Sequence, residues 1–163
     1  MTIQITISPL EKADIPAILE IEKQSQPEPW SEQSFLEELD RLQSYLLVAR
    51  TGEDGLPEAI SGDIAGYICF WHVADEIQIL NVVVHNNFRR EGIARELMAQ
   101  AIRTGREKRA ACVNLEVRKS NFPAIRLYEG LGFKTVGERP NYYGEPGEPA
   151  VLMELEIDPG VEE

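Results

Sequence analysis

Ile15, Ile18 and Leu19 recur at the spacing of one helix face, with Asp14 placed as the cap and Pro16 in the first turn. Pro27 and Pro29 end that helix, and Ser31 of "WSEQSFLEELDRL" predicts the cap of a second one, whose apolar face is Phe35, Leu36, Leu39 and Leu42. From Glu91 to about "KRA", Ala94, Leu97, Met98, Ala101 and Ile102 trace a third helix. Asn121 caps a fourth, with Pro123 near its start, Ala124, Leu127 and Tyr128 on one side and the glycines of "EGLGF" at its end. Between the helices the apolar positions run or alternate as strands do: "IQITISP", "YLLVAR", "IAGYICFWHV", "EIQILNVVVH", "ACVNLEVR", "FKTVGE" and "AVLMELEI". "TGEDGLPEAISGD" and "RPNYYGEPGEP" read as loops. The order β-α-α-β-β-β-α-β-α-β-β predicts an α/β fold with a mixed sheet of about seven strands and about four helices, with a meander over the third and fourth strands. With no repeat and no dividing linker, one domain over residues 1–157 is expected, followed by a frayed tail at 158–163.

A chain of 163 residues buries roughly two-thirds of its unfolded surface, enough to stand without metal or disulfide staples. No apolar run approaches the ~18 residues of a membrane span and the start lacks a signal-peptide core, so a cytoplasmic protein is expected. Cys69 and Cys112 lie in strand-like apolar runs and are expected to be buried free thiols. His72 and His85, without a clustered carboxylate or thiol, make no metal site, and no Ser-His-Asp set is present.

The formal net charge is -12, which argues against a nucleic-acid partner, since that requires a cationic footprint. The excess is uneven: residues 1–63 hold 4 Lys and Arg against 13 Asp and Glu, whereas residues 64–163 hold 12 against 15. An anionic ligand is therefore expected at the second part and a cationic one is drawn to the first, unless the surplus serves solubility alone. Against this background "NVVVHNNFRREGIARELM" sets Arg89, Arg90 and Arg95 where a strand gives way to a helix. Such a junction offers free backbone N–H groups and the positive end of the helix dipole, and Gly92 and Ala94 let a ligand approach the main chain. Neither a P-loop nor a G-x-G-x-x-G fingerprint is present, so the anion is read as neither ATP on a P-loop nor NAD on a Rossmann unit.

"VVVHNNFRREGIARELM" resembles the pyrophosphate-binding motif [QR]-x-x-G-x-[GA] of the GCN5-related N-acetyltransferases (GNAT), and "LEVRKSNFPAIRLYEGLGF" resembles the segment that follows it in that superfamily. The resemblance spans Ser8 to Ile157. Within it, "EPWSEQSF", "LEVRKSN", "IRLYEGLGF" and "NYY" look most like the RimI-type enzymes, which acetylate the N-terminal alanine of small-subunit ribosomal protein eighteen. The sequence departs from that type at Glu28, which stands where an apolar residue precedes "PW", and at Gly147 to Pro149, where "GEP" replaces an acidic pair.

The resemblance implies the GNAT fold and acetyl-CoA as cosubstrate, without a metal. It implies that the pantetheine arm pairs with the main chain of Val82, Val83 and Val84, and that the pyrophosphate rests on the amides of Arg90, Glu91, Gly92, Ile93, Ala94 and Arg95, with Asn121 a further cofactor contact. A backbone N–H of Val83 or Val84 is nominated for the oxyanion. It implies Glu116 as general base, directly or through a water, and Tyr128 as general acid, whose phenol near pKa ~10 can protonate a thiolate leaving group. Tyr142 and Tyr143 are implied on the acceptor side, and the acceptor is a protein N-terminus, taken as a basic ribosomal protein. Without the family, Glu116 reads sooner as a solvated strand residue paired with Arg118 or Lys119 than as a base, and Tyr128 reads also as a rim tyrosine on an apolar helix face. Two other functions stay open: acetylation of a small amine or lysine side chain, and a non-catalytic acetyl-CoA-binding regulatory module.

Overall fold

The computed structural model describes residues 4–52, 64–143 and 147–157. Among these residues seven strands appear in the order β1-β2-β3-β4-β5-β7-β6: β1 (Ile5–Pro9), β2 (Ser44–Thr51), β3 (Ile64–Val73), β4 (Glu76–Val84), β5 (Cys112–Arg118), β6 (Lys134–Tyr143) and β7 (Glu148–Glu156). Four α-helices accompany them: α1 (Ile15–Ser25), α2 (Glu32–Asp40), α3 (Ile93–Glu107) and α4 (Phe122–Gly130). The predicted α/β order and mixed sheet are thus found, with β1/β2 and β2/β3 antiparallel and β4/β5 parallel. The predicted tail at 158–163 and most of the "TGEDGLPEAISGD" loop lie outside the described residues.

The chain groups into two compact units, residues 1–71 with 81–100 and residues 72–80 with 101–163. The first has a core of Ile15, Ile18 and Ile21 from α1, Phe35 from α2, and Val48, Tyr67 and Val83 from the strands. Ser31 caps α2 as predicted, accepting from the Ser34 amide at 3.1 Å. Asp14 does not cap α1 with its side chain. It ends a 3-10 turn, Lys12–Asp14, and its buried carboxylate instead takes the Arg50 guanidinium at 2.5 Å and the Glu11 amide at 2.8 Å. Leu42 is likewise corrected: α2 stops at Asp40, before the turn that would return Leu42 to the apolar face, and Leu42 is fully exposed.

Two further acidic residues of this unit are buried. Glu22 accepts from the Tyr67 hydroxyl, from Asn81 Nδ2 at 3.2 Å and from the Trp30 amide at 2.7 Å. Burial, with Glu22 beside it, holds the Tyr67 phenol well above its ordinary pKa. Glu38 accepts from Trp71 Nε1, Ser44 Oγ and Arg41 Nε at 2.7, 2.7 and 2.9 Å. Asp14 and Glu38 each remove one arginine from the balance along with themselves, so the negative excess of this part of the chain is almost unchanged by their burial.

In the second unit β7 pairs antiparallel with both β5 and β6. Val113, Leu115 and Val117 are buried, and Asn114, Glu116 and Arg118 take the other face of β5, as strand alternation predicts. Asn121 caps α4, accepting from the Ala124 amide at 3.3 Å. The helix is stopped at Gly132, whose φ of +102° is the left-handed conformation that a glycine adopts without strain. The predicted loop "RPNYYGEPGEP" is mostly strand: β6 continues to Tyr143, which pairs with Glu148 after a register shift. β6 ends the strand order, and a proline such as Pro140 is tolerated in an edge strand because no ladder bond is lost there.

Candidate active site

β4 pairs with β5 from Glu76↔Cys112 to Ile79↔Leu115, and Val82, Val83 and Val84 lie beyond the last of these pairs. Val83 is buried while Val82 and Val84 are half-buried. β3 packs closely against this stretch, since a Cβ on Gly66 would stand 2.6 Å from the Val83 carbonyl oxygen and 3.2 Å from Val84 Cα. Glycine at 66 therefore fixes how near the two backbones come, and with it the line of the strand expected to receive pantetheine.

After β4 a 3-10 turn, Asn86–Phe88, leads to the arginines, and α3 starts at Ile93, two residues later than the expected Glu91. The delay has a backbone cause. Arg90 and Gly92 both have left-handed φ, +66° and +79°, curling the chain at the helix start in the manner of anion-binding concavities. The Glu96 backbone N–H donates to the Gly92 carbonyl at 3.1 Å, and the amides preceding it belong to the first turn, where an α-helix supplies no internal acceptor. A Cβ built on Gly92 meets nothing within 4 Å, so space is open directly over this backbone. Arg90 and Arg95 are exposed beside it. These residues fit the diphosphate of acetyl-CoA. Arg89 turns away instead, donating to Ser25 Oγ at 3.2 Å and to the Val84 carbonyl at 3.5 Å.

Glu116 is held from one side. Arg139 Nη2 of β6 donates to its Oε1 at 2.8 Å, while its Oε2 is buried without a partner among the described residues. The alternative pairing with Arg118 or Lys119 is absent, because Arg118 binds Glu148 at 3.3 Å and Lys119 binds Glu138 at 3.0 Å. A buried carboxylate oxygen with nothing to accept is unfavourable unless a donor arrives, and an amine is such a donor. The Arg139 guanidinium also lies 4.9 Å from the centre of the Tyr142 ring, so Glu116, Arg139 and Tyr142 form one contact chain. Tyr142 is exposed on β6, a strand rather than the expected loop, and Tyr143 ends the same strand. Tyr128 is buried on α4 with its ring 5.9 Å from that of Phe133.

Arg139 and Glu148 went unread in the sequence. Glu148, in the "GEP" departure, accepts from the Ser120 amide at 2.8 Å as well as from Arg118, which holds its carboxyl below the usual range and ties down the connection from β5 to Asn121. Neither cysteine is placed for nucleophilic work. Cys69 is buried, and burial pushes its thiol up to about 12. Cys112 is half-buried rather than buried as expected, because it opens β5; partial burial and then Glu154 raise its thiol too. At pH 8 an alkylating reagent is expected to modify Cys112 well before Cys69, whose thiolate fraction is on the order of one in ten thousand, with activity kept throughout. Loss of activity on labelling either thiol, with the fold intact, contradicts a mechanism without a cysteine nucleophile.

The acetyltransferase (GNAT) family model matches residues 15–133. The chain is 35% identical over 154 residues to the ribosomal protein bS18-alanine N-acetyltransferase of Escherichia coli K12, covering 93% of this chain and 97% of that protein. It is 31% identical over 153 residues to an N-alpha-acetyltransferase of Sulfurisphaera tokodaii, with 86% of each covered. Its structure is similar to the crystal structure of the Escherichia coli ribosomal-protein-S18-alanine N-acetyltransferase, with a TM-score of 0.81 at 32% identity over 98% of this chain and 97% of that one. On a family match and relatives that extend across both units, the chain belongs to the GNAT family of acetyltransferases and is an acetyl-CoA-dependent N-acetyltransferase.

Proposed function

We propose that the chain works as one domain over residues 1–157, acetylating the N-terminal alanine of ribosomal protein bS18 in the cytoplasm by direct attack of the α-amine on acetyl-CoA. The observation that carries the chemistry is Glu116, with one carboxylate oxygen fixed by Arg139 and the other buried and unpartnered among the described residues. The likeness to the Escherichia coli bS18 enzyme supports the acceptor.

Acetyl-CoA supplies the activated acetyl group. The main chain of Val82, Val83 and Val84 is assigned its pantetheine amides, with a Val83 or Val84 N–H donating to the developing oxyanion. Arg90, Glu91, Gly92, Ile93, Ala94 and Arg95 are assigned the pyrophosphate, and Asn121 a further contact. Glu116 accepts the amine proton at Oε2, and Tyr128 gives its phenolic proton to the departing sulfur. Tyr142 and Tyr143 border the acceptor. An α-amine of pKa about 7.7–8.0 asks less of a carboxylate base than a lysine amine near ~10.4, which favours chain termini over side chains.

The test is a panel of peptides incubated with acetyl-CoA while free thiol is followed. A basic peptide beginning with alanine is expected to release one thiol per acetylated terminus, with its kcat/KM falling between low and physiological ionic strength as the acidic surface is screened over ~10 Å. Faster turnover of an N-blocked lysine peptide or a small amine contradicts the terminal-amine reading. Tight acetyl-CoA binding with no turnover of any amine contradicts catalysis and leaves a binding module.

A further inference from the structure

We propose that Arg139 is a positioning residue of this site, setting both the base and the acceptor tyrosine. The inference rests on Glu116 being the base. Arg139 lies on β6 and Glu116 on β5, with β7 between them in the sheet. Register places them on one face: Glu116 opposes Leu152, Arg139 opposes Ala150, and Ala150 also opposes Arg118. Two strand spacings separate β5 from β6, about 10 Å, a span that the long side chains of Arg139 and Glu116 bridge together. The small side chain of Ala150 leaves that path open on the shared face.

The guanidinium does two things at once. Its Nη2 fixes Glu116 Oε1 at 2.8 Å, which leaves Oε2 as the oxygen available to the amine. Its Cζ stands 4.9 Å over the centre of the Tyr142 ring, a cation–π contact to which arginine brings a planar, weakly hydrated charge that lysine lacks. A peptide that displaces Tyr142 therefore moves Arg139, and Arg139 moves the base. Binding of the acceptor and readiness of the base are joined through one side chain.

Stability and catalysis separate these roles. The pair is 53% and 30% exposed at its side chains, and ion pairs this open to water contribute little to folding. Arg139→Met is therefore expected to leave the melting temperature and the KM for acetyl-CoA nearly unchanged while lowering kcat by about 10- to 100-fold, the scale of a displaced catalytic group. Arg139→Lys is expected to recover part of kcat but not the KM for peptide, because an ammonium can approach the carboxylate without stacking on the ring. Tyr142→Ala is expected to raise the KM for peptide in the wild type and to add nothing further in Arg139→Met. Unchanged kcat and peptide KM in Arg139→Met, alongside a strongly impaired Glu116→Gln, overturns the role of Arg139 and leaves the base in place. Full activity of Glu116→Gln removes the base itself, and the inference with it. A fall in kcat that tracks a lowered melting temperature in all three variants shows a structural role only.

Discussion

Replacing Glu116 by glutamine is expected to lower kcat by about two to four orders of magnitude at neutral pH, the contribution of a well-placed general base, while binding of acetyl-CoA is retained. Glutamine keeps the size of the side chain and its carbonyl can still accept from Arg139, so the change removes the proton acceptor and little else. The deficit is expected to shrink as pH rises through about 7.7–8.0, where the α-amine loses its own proton and asks less of the enzyme. Tyr128→Phe removes the hydroxyl from a buried ring that packs near Phe133 and is expected to lower kcat while acetyl-CoA binding is retained. Stopped-flow or coupled thiol release across pH 6.5–9.5 gives these rates. A Glu116→Gln enzyme that keeps wild-type kcat at neutral pH contradicts the assignment.

The second large effect is expected at Gly92. Glutamate there is placed in a left-handed conformation and sets a negative charge in the open space above the backbone. Alanine suffers only the first of these, roughly 1–2 kcal/mol for a left-handed L-residue, because nothing in the protein stands within 4 Å of its Cβ. The difference between Gly92→Glu and Gly92→Ala therefore reports what occupies that space. If it is the diphosphate, Gly92→Glu weakens acetyl-CoA by about 10- to 150-fold, with 1.5–3 kcal/mol lost per charged contact, and Gly92→Ala weakens it far less. Calorimetric titration with acetyl-CoA measures both. Equal affinities for the two variants contradict the cradle.

Much of this was legible in the chain because its signals are local. Ser31 and Asn121 announce their helices by caps that act three residues away, and β5 shows its two faces through simple alternation. The arginine cluster stands out because three cations at the start of a helix work against its dipole unless an anion balances them. Signals that depend on distant partners did not show. Asp14 looks like a cap until Arg50, 36 residues on, takes its carboxylate. The end of β6 looks like a loop because Pro140 and Asn141 lie in it and Gly144 and Gly147 follow in the sequence, whereas an edge strand accepts such a proline. Arg139 could not be joined to Glu116 from sequence, since their meeting depends on β7 running between β5 and β6. The same insertion brings Glu148 to the β5 end, turning an apparent departure in an acceptor loop into the tie that holds Ser120.

The most direct test of the central claim is the intact mass of ribosomal protein bS18 from cells lacking this gene, complemented with the wild type or with Glu116→Gln. The N-terminal acetyl group is expected to be missing in the deletion strain, restored by the wild type and not restored by Glu116→Gln at equal protein level. Fully acetylated bS18 in the deletion strain contradicts the proposed acceptor.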